Sequence, residues 1–170
     1  GSPTSGPGGG DEGGGGSPPV DPQFPEDHPR IYLNPTKKAA LTAAMAEPTA
    51  TAQRFRDFVD RGVSGGDAYE FHGWHAALVG QLTGDTSYCT AAIAFVDEMV
   101  TAEEDAIAGG GVPSVAGDSY LYVGDMVGDA ALVLDWCFED VSAEQADRWT
   151  AWANQAVWNV WNYQEAEWNG

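Results

Sequence analysis

Apolar residues recur every three or four positions along most of the chain, which is the spacing that places them on one face of a helix. Bounded by caps, prolines and glycines, six helices are predicted over residues 35–46, 49–61, 69–82, 86–101, 119–137 and 143–162. Beyond a short extended lead-in at 28–33, no alternating strand run or hairpin signal occurs. The pattern predicts an all-α fold made of antiparallel helical hairpins.

Local signals fix several helix ends. Asn34 followed by Pro35 is typical of a helix start, and Pro48 stops the first helix. Ser142 with Gln145 three residues later reads as a capping box for the last helix. Residues 102–117 contain Gly and acidic residues without a helical pattern and are predicted to form a loop, of the kind that often borders a site.

Residues 1–27 differ in composition from the rest of the chain. They are dominated by Gly, Pro and Ser and offer too little apolar surface to offset the entropy of ordering. We therefore predict a disordered linker at 1–27 and one folded domain at 28–170. The linker resembles the tether that follows the lipidated cysteine of bacterial lipoproteins, which implies an exported protein whose lipid anchor would lie upstream of the chain.

The charge of the chain excludes several partners. Its formal net charge is −19, from 26 acidic and 7 basic residues, and Arg148 is the only basic residue from position 118 onward. Nucleic acids and anionic membrane surfaces require Lys and Arg to neutralise phosphates, so neither is an expected partner. No run of 18 apolar residues is present, and no membrane span is predicted.

Six of the seven tryptophans lie in residues 118–170. On a helix, Trp149 and Trp152 point one way and Trp158 and Trp161 point roughly the opposite way. One interpretation is a helix buried on all sides in a multi-helix domain. The other is that one pair faces the core while the second lines a cavity, as aromatic platforms do in carbohydrate sites.

Acidic residues of the fifth predicted helix are candidates for chemistry. A helical wheel places Asp125 and Asp129 on one face, together with Asp118 and Trp136. Two carboxylates can serve a glycosidase, but such a pair flanks the bond from opposite sides, so the pattern favours a solvated face. Asp135 is a weaker candidate for the same role.

Glu70, His72 and His75 lie within about one and a half helical turns. A metal site would need further ligands, and the HExxH pattern is absent, so no metal or other cofactor is predicted. We expect one histidine to pack beside Trp74 and the other to reach solvent or a cleft, where a near-neutral pKa suits proton transfer.

Cys89 and Cys137 are the only cysteines, and neither belongs to a CxxC or Cys/His cluster. In an exported protein they would be able to form one disulfide between two helices. Otherwise both are expected to be buried as small hydrophobic residues.

Three stretches resemble heparinase II/III-like proteins of the alginate and chondroitin lyase superfamily. They are His-Pro-Arg-Ile-Tyr-Leu at 28–33, Trp74 with Leu-Thr-Gly-Asp at 82–85, and Val-Gly-Asp at 123–125 leading to Leu-Asp-Trp at 134–136. The resemblance covers residues 28–170. It implies the N-terminal portion of an (α/α) toroid, incomplete here because a full toroid needs more hairpins than three.

The family chemistry is β-elimination on polysaccharides that contain uronic acid. The resemblance places the catalytic residues in segments further along than this chain, so none is assigned here. A non-catalytic carbohydrate-binding or scaffold module tethered to the cell surface is the alternative, and a glycoside hydrolase using Asp125 or Asp135 is a third. The expected partner is a polysaccharide, and the residues predicted to line its groove are Trp74, His75, Tyr122, Trp158 and Trp161.

Overall fold

The computed structural model describes residues 25–168, and the described part is all-helical. Residues 1–24 of the predicted linker, and Asn169 and Gly170, lie outside the described residues. The seven helices are α1 (Pro35–Ala46), α2 (Ala50–Val63), α3 (Gly73–Thr83), α4 (Thr86–Ala108), α5 (Gly117–Tyr120), α6 (Val123–Trp136) and α7 (Ala143–Trp161). A 3₁₀ turn at Ser114–Ala116 precedes α5.

The predicted caps are present. The Asn34 side chain accepts from the Lys37 N–H at 2.9 Å, with Pro35 opening α1. Ser142 and Gln145 form the capping box of α7. Gly84 ends α3 in the left-handed conformation at φ 77°, which a glycine adopts without steric cost. These local signals were sufficient because each cap uses groups within a few residues of the helix end.

Three predicted boundaries were wrong. α3 begins at Gly73 rather than 69, because Glu70 has a left-handed backbone with φ 56°. α4 continues to Ala108, so residues 102–108 of the predicted loop at 102–117 are helical. The helix predicted from 119 begins at Val123, because residues 118–120 all have positive φ and form the irregular turn α5.

The main helices form two hairpins, α3 with α4 and α6 with α7, that run in the same direction. At the start of α3, the Gly73 and Trp74 N–H groups donate to Asp129 of α6. At the far end of α3, Gln81 donates to the carbonyl of Trp136, the last residue of α6. Helices α3 and α6 therefore run parallel. The turn after Gly84 folds α4 back along α3, and the connection at 137–142 folds α7 back along α6.

The core lies between these hairpins, with α3 packed against α4 and α6. Gly73 sits at the closest approach, where an added Cβ would lie 3.2 Å from side chains of Val96 and Val133. A disulfide joins Cys89 near the start of α4 to Cys137 at the end of α6, which settles the two alternatives for the cysteines. Among the described helices, none is long and apolar enough to cross a membrane.

Candidate functional site

Asp135 fixes the extended lead-in to the helical array. Its carboxylate is only 3% exposed and accepts from the backbone N–H groups of Arg30 and Ile31 at 2.9 and 2.8 Å. The His28 ring nitrogen Nδ1 lies 2.6 Å from the other oxygen. Trp136 adds a bond from its indole N–H to the Ile31 carbonyl at 2.9 Å. The Leu-Asp-Trp stretch therefore holds the lead-in that contains His-Pro-Arg.

Asp129 anchors the start of α3 in the same way, through backbone N–H groups. Its carboxylate is buried and accepts from the backbone N–H groups of Gly73 and Trp74 at 3.0 and 2.7 Å. Burial raises the pKa of Asp129 above its ordinary value, and the two N–H donors together with nearby His72 offset part of that rise. The predicted solvated acidic face is wrong at this residue, because Asp129 satisfies orphan donors at a helix N-terminus.

Glu103 is a third buried carboxylate with backbone partners, and sequence reasoning missed it. It accepts from the Ser114 and Val115 N–H groups at 3.0 and 2.8 Å and so fastens the segment after α4. A signal was present, since Glu103 continues the inward spacing of Val96 and Val100. All three carboxylates stabilise backbone. Of the predicted acidic face, Asp118 and Asp125 are the residues that stay exposed.

The helical wheel places Trp136 on the same side of α6 as Asp129, but that side is not the unpacked face that the pattern predicts. The Trp136 side chain is buried in the core together with Ala130 and Val133. The reason is that the lead-in and α3 cover the side of α6 that carries Asp129, Asp135 and Trp136. Periodicity alone identifies a face but does not identify what covers it.

Trp74 and His75 stack on one another at the start of α3. Their ring centroids are 3.7 Å apart, which confirms that one histidine packs beside Trp74. Phe58 meets the His75 ring edge-on at 5.1 Å. His72, the other histidine, keeps 32% of its side chain exposed. Burial is the largest cause that lowers the pKa of His75, so a neutral imidazole is favoured there.

The tryptophans of α7 divide into two pairs, as their spacing predicts. Trp149 and Trp152 are buried in the core, and the Trp149 indole N–H donates to Asp97 at 3.1 Å. Trp158 is 40% exposed and Trp161 is 85% exposed. Helix α7 thus faces the core with one pair of indoles and presents the other pair outward.

The outward pair belongs to a larger apolar surface at the carboxyl end of α7. We call the residues Val157, Trp158, Val160, Trp161 and Tyr163 the aromatic surface. Trp161 and Tyr163 also line a shallow cleft of about 160 Å³ with Asn162, Gln164 and Glu165. This cleft contains none of the other residues predicted to line a groove.

Because α3 and α6 run parallel and α7 runs antiparallel to them, all five predicted groove residues lie at one end of the helical array. Trp74 and His75 are in the first turn of α3, and Tyr122, which is 48% exposed, immediately precedes α6. Trp158 and Trp161 are in the last turn of the antiparallel helix α7. The Tyr120 hydroxyl donates to the Trp168 carbonyl and joins the loop before α6 to the segment after α7. The structure brings the five residues to a common end without enclosing them in one cavity.

Arg148 is held by acidic residues between α4 and α7. Its guanidinium lies 3.0 Å from Glu104 and 3.2 Å from Asp97. These contacts, Glu104 above all, raise the pKa of Arg148 above its ordinary value. The only basic residue beyond position 118 is therefore engaged within the protein.

Within residues 25–168, no group of three or more His, Cys, Asp or Glu side chains is arranged to hold a metal ion. No family model, no curated protein and no solved structure matches this chain.

Proposed function

We propose that this chain is the helical N-terminal part of an exported protein resembling heparinase II/III-like lyases, and that its aromatic surface binds polysaccharide. The observation that carries the proposal is the exposure of Trp161, at 85%, beside Tyr163 at 71%. Exposed apolar residues that adjoin one another commonly mark an interaction site. Flat aromatic rings suit the C–H faces of sugar rings, while the indole N–H remains available to hydroxyl groups.

The arrangement of the hairpins supports an (α/α) toroid as the architecture. In such a toroid, the helices of one layer run parallel and those of the second layer return antiparallel to them. Here α3 and α6 run parallel, and α4 and α7 both run back. The five predicted groove residues lie at one end of this array, which is where a groove formed by successive hairpins would open.

The disulfide supports export. Disulfides persist in oxidising compartments and are rare in reducing ones, and Cys89–Cys137 links two helices of the core. A linker rich in Gly and Pro ahead of the domain fits a protein held at the cell surface.

The chain's own part in the reaction is binding. Asp129 and Asp135 hold backbone N–H groups and are buried, which argues against the glycoside hydrolase alternative at Asp135. No residue of this chain is assigned to the β-elimination chemistry that the resemblance implies. The non-catalytic module stays as the alternative, and it shares the same binding surface.

A binding experiment tests the aromatic surface. The chain is titrated calorimetrically with alginate, heparin and chondroitin oligosaccharides. Trp161→Ala is expected to weaken binding roughly tenfold, because an aromatic stacking contact of about 0.5–1.5 kcal/mol is lost together with buried area. Tyr32→Ala is the matched control, since Tyr32 is also highly exposed but lies beside the opposite end of α6. Equal affinity of both variants and the parent chain would contradict the proposal.

A second measurement separates the lyase from the module. A longer version of the protein is incubated with the same polysaccharides, and the absorbance of the unsaturated uronate product is followed. Appearance of that absorbance supports the lyase, and binding without it supports the module. New reducing ends without unsaturation would indicate hydrolysis, and Asp125→Asn would then be the variant to assay.

A further inference from the structure

The segment that follows α7 places carboxylates beside the aromatic surface. Glu165 lines the same shallow cleft as Trp161 and Tyr163. Glu167 lines a second cleft, of about 260 Å³, together with the exposed residue Val112. Both glutamates are exposed, and among the described residues that line either cleft they are the only charged ones. The charge beside the aromatic surface is therefore negative.

The basic residues of the chain do not neutralise these two carboxylates. All seven Lys and Arg residues lie in the described part of the chain, and none forms an ion pair with Glu165 or Glu167. Arg148, on the same helix as Trp161, is paired with Glu104 and Asp97. It lies about 20 Å from Trp161 along α7, at 1.5 Å per residue.

The carboxyl ends of two helices add to the negative charge. A helix C-terminus carries roughly half an elementary negative charge, which favours cations. Helix α7 ends at Trp161 beside the first cleft, and α4 ends at Ala108 next to Ile107 of the second. Neither helix has a basic residue in its last turn. The amino ends of α3 and α6 already have carboxylates, Asp129 at α3 and Asp125 in the first turn of α6.

The indoles define the site, and the carboxylates set its charge. Exposed aromatic rings contact the C–H faces of sugars and also attract cations to their own faces. A uronic acid would bring its carboxylate close to Glu165, and like charges repel. A protonated amino group would instead meet a carboxylate and the faces of Trp161 and Tyr163 in one cleft.

We propose that the aromatic surface prefers a polysaccharide of amino sugars with free, protonated amino groups over one of uronic acids. The inference rests on the proposed function, because it requires this surface to bind polysaccharide, and it adds the charge of the sugar. Glu165 and Glu167 accept charge-assisted hydrogen bonds from the ammonium groups, while Trp161 stacks on a sugar ring.

The test compares three oligosaccharides of equal length, made of glucosamine, N-acetylglucosamine or mannuronate. The whole chain is titrated calorimetrically at about pH 6, where glutamates are ionised and the sugar amino groups carry protons. The glucosamine oligomer should bind about tenfold more tightly than the N-acetylated one, because exposed ion pairs and cation–π contacts each contribute a few-fold. The mannuronate oligomer should bind most weakly. Trp161→Ala should weaken binding of both glucosamine forms by a similar factor.

A double variant tests the two carboxylates. Glu165→Gln combined with Glu167→Gln should reduce the preference for free amino groups to within about twofold and leave the affinity for N-acetylglucosamine unchanged. Glu139→Gln combined with Asp140→Asn is the matched control, because it changes the net charge equally at exposed residues beyond the opposite end of α6. The control should keep the tenfold preference.

The outcomes separate this inference from the proposed function. If the N-acetylated or the mannuronate oligomer binds as tightly as the glucosamine oligomer, the inference is wrong and the proposed function stands. If none of the three binds, both are wrong. An equal loss of preference in the control would overturn the inference, because the attraction would then come from net charge. Equally tight binding of an oligolysine that also depends on Trp161 would overturn it, since the surface would then fit a basic peptide.

Discussion

Removing the Asp135 carboxylate is expected to release the lead-in from the helical array. Asp135→Ala would leave the N–H groups of Arg30 and Ile31, and the His28 ring, without their acceptor. Asp135→Asn would retain one oxygen for the two N–H groups and place an amide beside the His28 ring. The pair of variants therefore separates loss of the acceptor from loss of the charge.

The magnitude follows from the number of donors. Each buried donor left unsatisfied costs about 1–3 kcal/mol, and breaking a buried charged contact costs about 3–5 kcal/mol. We expect Asp135→Ala to lower the free energy of unfolding by about 3–5 kcal/mol, because water can reach only some of the groups that would lose their acceptor. Asp135→Asn should cost about 1–2 kcal/mol, since neutral hydrogen bonds replace charge-assisted ones.

Urea unfolding of the disulfide-bonded chain measures these changes, with limited trypsin digestion as a second readout. Arg30 precedes a trypsin-sensitive bond, and release of the lead-in should speed cleavage there in Asp135→Ala. Asp140→Asn is the matched control, because Asp140 is exposed near the end of α6 and should change stability by no more than about 0.5 kcal/mol. If Asp135→Ala matches this control in urea midpoint and in cleavage rate, the anchoring role assigned to Asp135 is wrong.

Two further predictions concern pH and redox state. Because burial lowers the pKa of His75, the unfolded chain binds more protons, and the free energy of unfolding should fall as pH drops below about 6.5. Urea midpoints between pH 5 and 7 should show a shallower dependence in His75→Gln, and an identical slope would refute the assignment. Replacing Cys89 and Cys137 together by Ser should cost about 4 kcal/mol, because the bridge closes a loop across 48 positions. The free energy of unfolding of the parent chain, measured with and without reductant, should differ by the same amount. An unchanged free energy of unfolding on reduction would contradict the prediction.

Much of the helical fold was readable from the sequence, because its signals are local. The starts of α1 and α7 were predicted from Asn34 and Ser142, whose caps involve residues only three positions away. The opposed directions of the two tryptophan pairs on α7 followed from helical spacing alone. The error at the start of α3 arose where a distant residue holds the backbone, because Asp129 accepts from the Gly73 N–H.

The candidate site was less predictable than the helices. Trp158 and Trp161 were identified from their spacing, but whether that pair or Trp149 and Trp152 would face solvent depended on where α4 and α6 pack. The role of Asp135 had no sequence signature, because the backbone N–H groups of Arg30 and Ile31 that it accepts from lie more than a hundred positions away.

The sequence by itself determined the helical class, most of the caps, and the amphipathic spacing that gives α7 a buried pair and an outward pair of indoles. Only the tertiary structure decided what the carboxylates do. Asp129, Asp135 and Glu103 each accept from two backbone N–H groups, in segments between 11 and 105 positions away. In the sequence, an acidic residue in a helical pattern looks the same whether its carboxylate will be solvated or will accept from an unpaired backbone N–H group. The choice between them is made when another element packs against that face and removes the water.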